Sequence, residues 1–458
     1  MKKKRISLAR LIASFTVAAI LSIGMAAPAF ASEGGEDPTQ NLPPGMVGTQ
    51  NDPAQAGITK LMRMPMGTTI PNVIFEFDIT TNDQDAPVIT NKFPLTFQNS
   101  DVHCMTENNI LKMHHATGDI FAGVTFPHAG AYTYYVTERT TKISDGSPIY
   151  ETPSGVTYTD QMIFSKAEYK LVVYVANKVP GPGTYINGIG ATMVKDNEGN
   201  PVSNGGKLDV TPYPEDHSGL HKRSDMIFTN DYIKYPGFDG GGDPFEDTGT
   251  ALKIGKLVSG TYADKTLPFE FIVSVDKPGL VEEENPTCKV YLIGPDANGV
   301  LKNLTHVDLI VNGDDSEVDI DSDDDGDYVV FTAGSTIKAK LSHGQYLAFV
   351  GISTGAKVNV TESAGSAGYR ASYSVIFNGS TASNSTAPNL NQAWSIPDAN
   401  NYTGDKKNSV MFTNNLPDIS QTGISVDNLP FIVIIAMCAL ALAGYVVFRT
   451  RRNAKHNA

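Results

Sequence analysis

Three residue types that together can make an amide bond occur twice along this 458-residue chain, in the same order and beside similar neighbours. Lys60 precedes Phe75-Glu76-Phe77, and Lys256 precedes Phe269-Glu270-Phe271. Val136-Thr137-Glu138 is matched by Val360-Thr361-Glu362, and Phe228-Thr229-Asn230 by Phe412-Thr413-Asn414. A charged lysine among apolar strands is expensive to bury unpaired. Burial lowers the pKa of an amine and raises that of a carboxylic acid. Such a site therefore favours a neutral, nucleophilic lysine and a protonated glutamate that donates a hydrogen bond to the asparagine carbonyl. The amine can attack that carbonyl, ammonia leaves, and an internal amide remains. Placement by the fold supplies the effective concentration, and the glutamate moves the proton. Ordinary roles for the same residues stay open at this level: a lysine facing solvent, a Thr-Glu edge pair, an asparagine opening a turn.

The elements expected to position these residues are strands. Val73–Ile79, Tyr132–Thr137 and Tyr169–Val175 are rich in aromatic and β-branched residues and are bounded by Gly, Pro, Asn and Asp, as sandwich strands should be. No long helical periodicity occurs between the two ends. A further landmark pair, Gly130-Ala131-Tyr132 and Gly355-Ala356-Lys357, falls in the same relative place, so the chain reads as a duplicated unit. The expected architecture is all-β, with two tandem Ig-like sandwich domains at 55–235 and 248–416. A polar leader at 32–54 is expected to be flexible, and a linker at 236–247 surrounds Gly240-Gly241-Gly242.

Both ends point outside the cytoplasm. Residues 1–31 have basic residues at 2–5 and 10, an apolar run from Leu11 to Met25, and Ala29-Phe30-Ala31, the layout of a secretory signal peptide. Leu429–Phe448 is long and apolar enough to cross a bilayer. Arg449, Arg451, Arg452 and Lys455 follow in a tail at 449–458, and such flanks stay on the cytoplasmic side. Between the ends lie 26 of the 35 basic residues and 48 of the 49 acidic ones, a balance of −22. That surface disfavours nucleic acid and anionic lipid. Cys104, Cys288 and Cys438 provide no disulfide framework, although export would permit one.

The recurring stations and both processing ends resemble the Gram-positive pilins and surface adhesins built from Spy-type isopeptide domains, the FctA or T-antigen-like pilin family. The resemblance covers both domains. It implies a Lys in the first strand, a Glu in mid-domain and an Asn in the last strand, joined as an intramolecular isopeptide. Carried onto this sequence, the sets are Lys60, Glu138 and Asn230, and Lys256, Glu362 and Asn414. Glu138 and Glu362 would catalyse a single turnover on the protein itself. Lys256 fits the family's opening better than Lys253, because Leu-Val-Ser-Gly follows it, and Asn414 fits better than Asn415. The first domain's opening is looser, with Met62, Met64, Pro65 and Met66 after Lys60.

The same resemblance implies a sortase signal at 417–428, ahead of the membrane helix. In place of an intact pentapeptide the chain reads Leu416-Pro417-Asp418-Ile419-Ser420-Gln421-Thr422-Gly423, so cleavage is expected between Thr422 and Gly423. Lys178 is the candidate acceptor for the next subunit. The implied partners are a sortase, other pilin subunits or peptidoglycan, and a host receptor, and the implied location is the cell surface, wall or pilus.

Asp321, Asp323, Asp325 and Asp327 with Gly326 look like the start of a calcium loop. Thr332 stands where that loop needs a Glu, so a solvated acidic hairpin is the preferred reading, calcium the alternative, and no cofactor is expected. The functional expectation is a pilus subunit, shaft or ancillary. The alternative is a monomeric wall- or membrane-anchored adhesin for host glycan or matrix protein. Catalysis on an external substrate is not expected, since the nine histidines are scattered.

Overall fold

The computed structural model describes residues 42, 46–101, 105–151, 158–203, 205–212, 223–236, 244–245, 251–281, 286–304, 309–311, 320–364, 368–398, 401–418 and 429–456. The signal peptide and the Thr422–Gly423 junction lie outside them. The described chain is predominantly β, in several sheets, with one apolar helix near the C-terminus.

Two sheets built from residues 59–233 share one buried apolar cluster. The first orders its strands Met105–Glu107, Ile110–Ala116, Thr59–Pro65, Ile227–Ile233, Gln161–Ile163. The second runs Thr184–Lys195, Glu168–Asn177, Gly130–Glu138, Phe77–Thr80. Strict alternation explains how they meet. In Glu168–Asn177, Tyr169, Leu171, Val173 and Val175 are buried and the residues between them are more open, so one face is apolar. Thr59–Pro65 and Ile227–Ile233 are neighbours and parallel although they are the first and last strands of this set. Parallel neighbours cannot be joined by a hairpin, and here nearly the whole set intervenes.

The second set repeats the plan. Leu252–Ser259 and Ser409–Asn415, its first and last strands, pair in parallel at the middle of a nine-stranded sheet. The partner sheet runs Leu309–Val311, Thr336–Leu341, Phe269–Asp276, Lys357–Glu362, Trp394–Ser395. Tyr346–Val350 is buried at every position, the pattern of a strand covered on both faces. One face meets the main cluster through Leu347 and Phe349, and Tyr346, Ala348 and Val350 join a smaller one against which Tyr158 and Phe245 pack. Among the described residues no sheet mixes strands from the two sets.

The sets touch directly. Asp405 Oδ2 accepts the Thr69 N–H at 2.7 Å and pairs with Lys234 at 3.3 Å. The Thr68 and Thr354 hydroxyls lie 2.5 Å apart, and Asn109 donates to the Tyr402 hydroxyl at 2.7 Å. Gly67 has φ +85°, and a Cβ there would lie 2.9 Å from Gly404 Cα, so the close approach needs glycine.

Three expectations change. The leader is not free up to residue 54: Met46 is fully buried, Val47 bridges Gly188, and the Ala54 N–H bonds Ile186 O. Met46 and Ala54 belong to the buried apolar cluster, and Leu42 packs against it. The strand expected at 73–79 is broken at Glu76, so Val73–Phe75 pairs with Leu95–Phe97 while Phe77–Thr80 pairs with Gly130–Glu138. The C-terminal helix, Leu429–His456, continues through the basic tail, and its 23-residue stretch Pro430–Arg452 is long and apolar enough to cross a membrane. None of that stretch is buried against the rest of the chain.

Candidate functional site: two buried Lys–Glu–Asn clusters

The parallel pairing of first and last strands sets the geometry. Lys60 stands opposite Phe228 and Met62 opposite Asn230; Lys256 stands opposite Phe412 and Val258 opposite Asn414. In both sets the lysine and asparagine therefore share one face of adjacent strands, two residues out of register. The glutamate arrives from the facing sheet, where Glu138 pairs with Phe77 and Glu362 with Phe271. Aromatic rings wall each cluster. The Lys60 ammonium lies 4.6 Å from the Phe75 ring centre, and that of Lys256 lies 4.1 Å from Phe269. Phe77 packs on Phe228 at 5.1 Å and Phe271 on Phe412 at 5.4 Å.

In each cluster the lysine reaches both oxygens of one carboxylate, and the asparagine nitrogen reaches one of them. Glu138 Oε1 is 2.9 Å from Lys60 Nζ and 2.8 Å from Asn230 Nδ2. Glu362 Oε1 is 3.1 Å from Lys256 Nζ and 2.5 Å from Asn414 Nδ2. The side chains of Lys60, Glu138, Lys256 and Glu362 are at most 1% exposed, and both asparagines are buried. Burial holds each lysine down to about 8, against the pull of its glutamate. Burial likewise pushes both glutamates above the ordinary carboxylate range, with the facing ammonium the main opposing influence. Moving the shared proton from amine to carboxylate is thus far easier here than in water.

The asparagine is oriented differently from the expectation that Glu meets its carbonyl. In both clusters the carboxylate faces the amide nitrogen. In the first, the Ser165 N–H donates to Asn230 Oδ1 at 2.7 Å. A backbone N–H can only donate, so the carbonyl must point to Ser165 and the nitrogen to Glu138. Chemically this places the carboxyl beside the leaving group. Asn414 Oδ1 is buried with no hydrogen-bond partner among the described residues.

The remaining residues are elsewhere. Lys253 is half-buried over the Tyr346 ring at 3.9 Å, and Asn415 is exposed and bonds the Ser259 hydroxyl. Lys178 is exposed just past Glu168–Asn177, its N–H bonded to Gly183 O. The acidic run forms a hairpin of Ile320–Asp323 with Gly326–Thr332. Its carboxylates do not converge: Asp323 takes Lys289 and the Tyr291 hydroxyl, and Asp321 takes the Tyr328 hydroxyl. Among the described residues no three His, Cys, Asp or Glu side chains are grouped to hold a metal ion.

Ser165 and Asn197 had no signal in the sequence. Neither belongs to a repeated landmark, and only tertiary pairing brings them to Asn230.

Residues 250–415 match the family described as a domain of unknown function, DUF7601. No curated protein matches the chain. Among solved structures, the major pilin from Streptococcus pyogenes is 16% identical, over 79% of this chain and 98% of that one, with a TM-score of 0.28. The major pilin T3.2 from a Streptococcus pyogenes serotype is 13% identical over the same shares, with a TM-score of 0.27. A pilus-presented adhesin is 14% identical, over 50% of this chain and 36% of that one, with a TM-score of 0.16. Scores this low leave the architecture to the strand topology itself.

Proposed function

We propose that this chain is a cell-surface structural protein, a pilus subunit of shaft or ancillary type, made of two tandem Ig-like sandwich domains. Each domain is locked by an isopeptide bond, Lys60 to Asn230 and Lys256 to Asn414. The carrying observation is the equivalence of the two buried clusters in register, burial and contacts. The Lys amine attacks Asn Cγ and forms the new C–N bond. Glu accepts a proton from the amine and delivers one to Nδ2, which leaves as ammonia. Because the joined strands are the first and last of each domain, the bond closes the domain mechanically from end to end. The unpacked apolar helix holds the precursor at the membrane, with its β domains outside, until a sortase joins the Thr422 carboxyl to an amine such as Lys178 of the next subunit or to peptidoglycan.

Intact-mass measurement of the full-length chain tests this reading. Two molecules of ammonia should be missing, and peptide mapping should recover both branched Lys–Asn peptides. An unchanged mass overturns the crosslinks. In a sortase-bearing host, a ladder that survives boiling in detergent should appear and should vanish with Thr422→Ala; a lone monomer instead favours an anchored adhesin.

A further inference from the structure

We propose that the Ser165 backbone N–H is a catalytic oxyanion donor for amide formation at the first cluster, and that Asn197 is the positioning residue that holds it there. The inference rests on the crosslink reading and adds to it. When Lys60 Nζ adds to Asn230 Cγ, the carbonyl electron pair moves onto Oδ1. A donor already fixed on that oxygen stabilises the charge without reorganising. The Ser165 N–H lies 2.7 Å from Oδ1 and also faces the Glu138 carboxylate. As the intermediate collapses, the charge returns to the carbonyl, the C–Nδ2 bond breaks, and ammonia departs with the proton carried by Glu138. The donor takes no proton and is unchanged at the end.

The segment bearing this N–H is tied to the reacting strand. Asn197 Oδ1 accepts the Ser165 hydroxyl at 2.6 Å and the Thr229 N–H at 2.9 Å. Thr229 is the residue before Asn230, so one amide oxygen joins donor segment and substrate strand. The Lys166 N–H bonds Asn197 O at 2.9 Å, and the Ser165 hydroxyl also accepts the Ala167 N–H at 3.1 Å. Asn197 is used only as an acceptor in these side-chain contacts, which a carboxylate would reproduce. The second cluster offers the internal contrast, because Asn414 Oδ1 has no donor among the described residues.

The test uses the full chain made by cell-free translation into detergent micelles, with both branched peptides followed by mass spectrometry over time. An α-hydroxy acid at position 165 turns that amide into an ester and removes the N–H alone. First-cluster formation should slow by about a hundredfold, the usual cost of one oxyanion donor, with the second cluster unchanged as an internal clock. Asn197→Ala should slow the first cluster in the same way, and Asn197→Asp should restore it. An unchanged first-cluster rate in the ester chain overturns the donor role, as does slowing by Asn197→Ala that Asn197→Asp does not rescue. Should the ester chain fail to fold, the Asn197 pair decides. Absence of branched peptide from the unaltered chain instead overturns the crosslink reading, and this inference with it.

Discussion

The two clusters place the same three side chains on the same strands, in the same register, against corresponding phenylalanines. They part company at the carbonyl oxygen of the asparagine. Asn230 Oδ1 is held by a backbone donor, whereas Asn414 Oδ1 is buried without a partner among the described residues. The amine, carboxyl and leaving group are thus duplicated, but the stabilisation of developing negative charge is not. The cluster with the looser opening sequence, around Met62 and Met64, is the better equipped one. A chain that has lost a single ammonia should therefore carry it missing from the first cluster, the reverse of what the openings suggest.

The comparison breaks most directly at the glutamates. Glu138→Gln and Glu362→Gln remove the group that moves the proton while keeping its shape. Each should slow its own crosslink by about 10²–10⁴-fold and leave the other intact, read as loss of one branched peptide and recovery of one ammonia. Loss of both peptides from a single substitution would mean that the clusters do not act independently.

Stability should show the next largest difference. Each proposed bond would close a loop of well over a hundred residues, for which a covalent crosslink contributes about 5 kcal/mol in the chain-entropy picture. Asn414→Ala should cost about that much in urea unfolding. Asn230→Ala also takes the Oδ1 acceptor from the Ser165 N–H and leaves it only the Glu138 carboxylate, which adds up to about 1–3 kcal/mol. Equal losses would show that the Ser165 contact has no weight in the folded state.

Much of this arrangement is readable from residues in order. Phe-x-Phe, Thr-Glu and Phe-Thr-Asn recur because each strand must present an apolar face with one polar residue set into it, so Lys60, Glu138, Asn230 and their counterparts stand out. The preference for Lys256 over Lys253 rests on the Leu-Val-Ser-Gly that follows it, and the two lysines do face different surroundings. Other features are invisible in one dimension. That the oxygen of Asn230 is held by a donor from residue 165, far along the chain, is one of them. Asn197 joins through the turn after Thr184–Lys195, which brings it to Ser165 and Thr229 only in the folded chain. Met46 is buried within the first apolar cluster, which composition cannot tell.

Acidity should sharpen the comparison further. Attack needs a neutral amine and a carboxylate free to take its proton. Below the raised glutamate pKa both groups are protonated and the amine cannot attack. Above about 8 the lysine is neutral, and the carboxylate still takes the amine's proton and passes it to Nδ2. Crosslink formation should therefore rise with pH and level off near 8 at both clusters, well below the ordinary lysine range. The cause is the same at each, burial of the lysine, so the two profiles should coincide although their heights differ. A rate still climbing at pH 10 would mean that burial does not hold the lysines near 8.

The smallest expected effect lies at the junction between the two strand sets, and it guards the comparison itself. Asp405 receives the Thr69 N–H and Lys234, and Lys234 follows Asn230 by four residues, on or just beyond the same strand. If strain passed through that contact, the rates of the two clusters would not be separable, and their difference could not be assigned to Ser165. The route is poor, however. It runs through one partly open ion pair and a backbone bond from Thr354 to Lys234 O, while Asn230 is fixed from its other side by Ser165 and Glu138. Asp405→Ala should therefore cost only about 1–3 kcal/mol, the penalty for orphaning the Thr69 N–H, and should leave both crosslinking rates unchanged within about twofold. A larger change at one cluster alone would show that the junction, and not the oxyanion donor, sets the two apart.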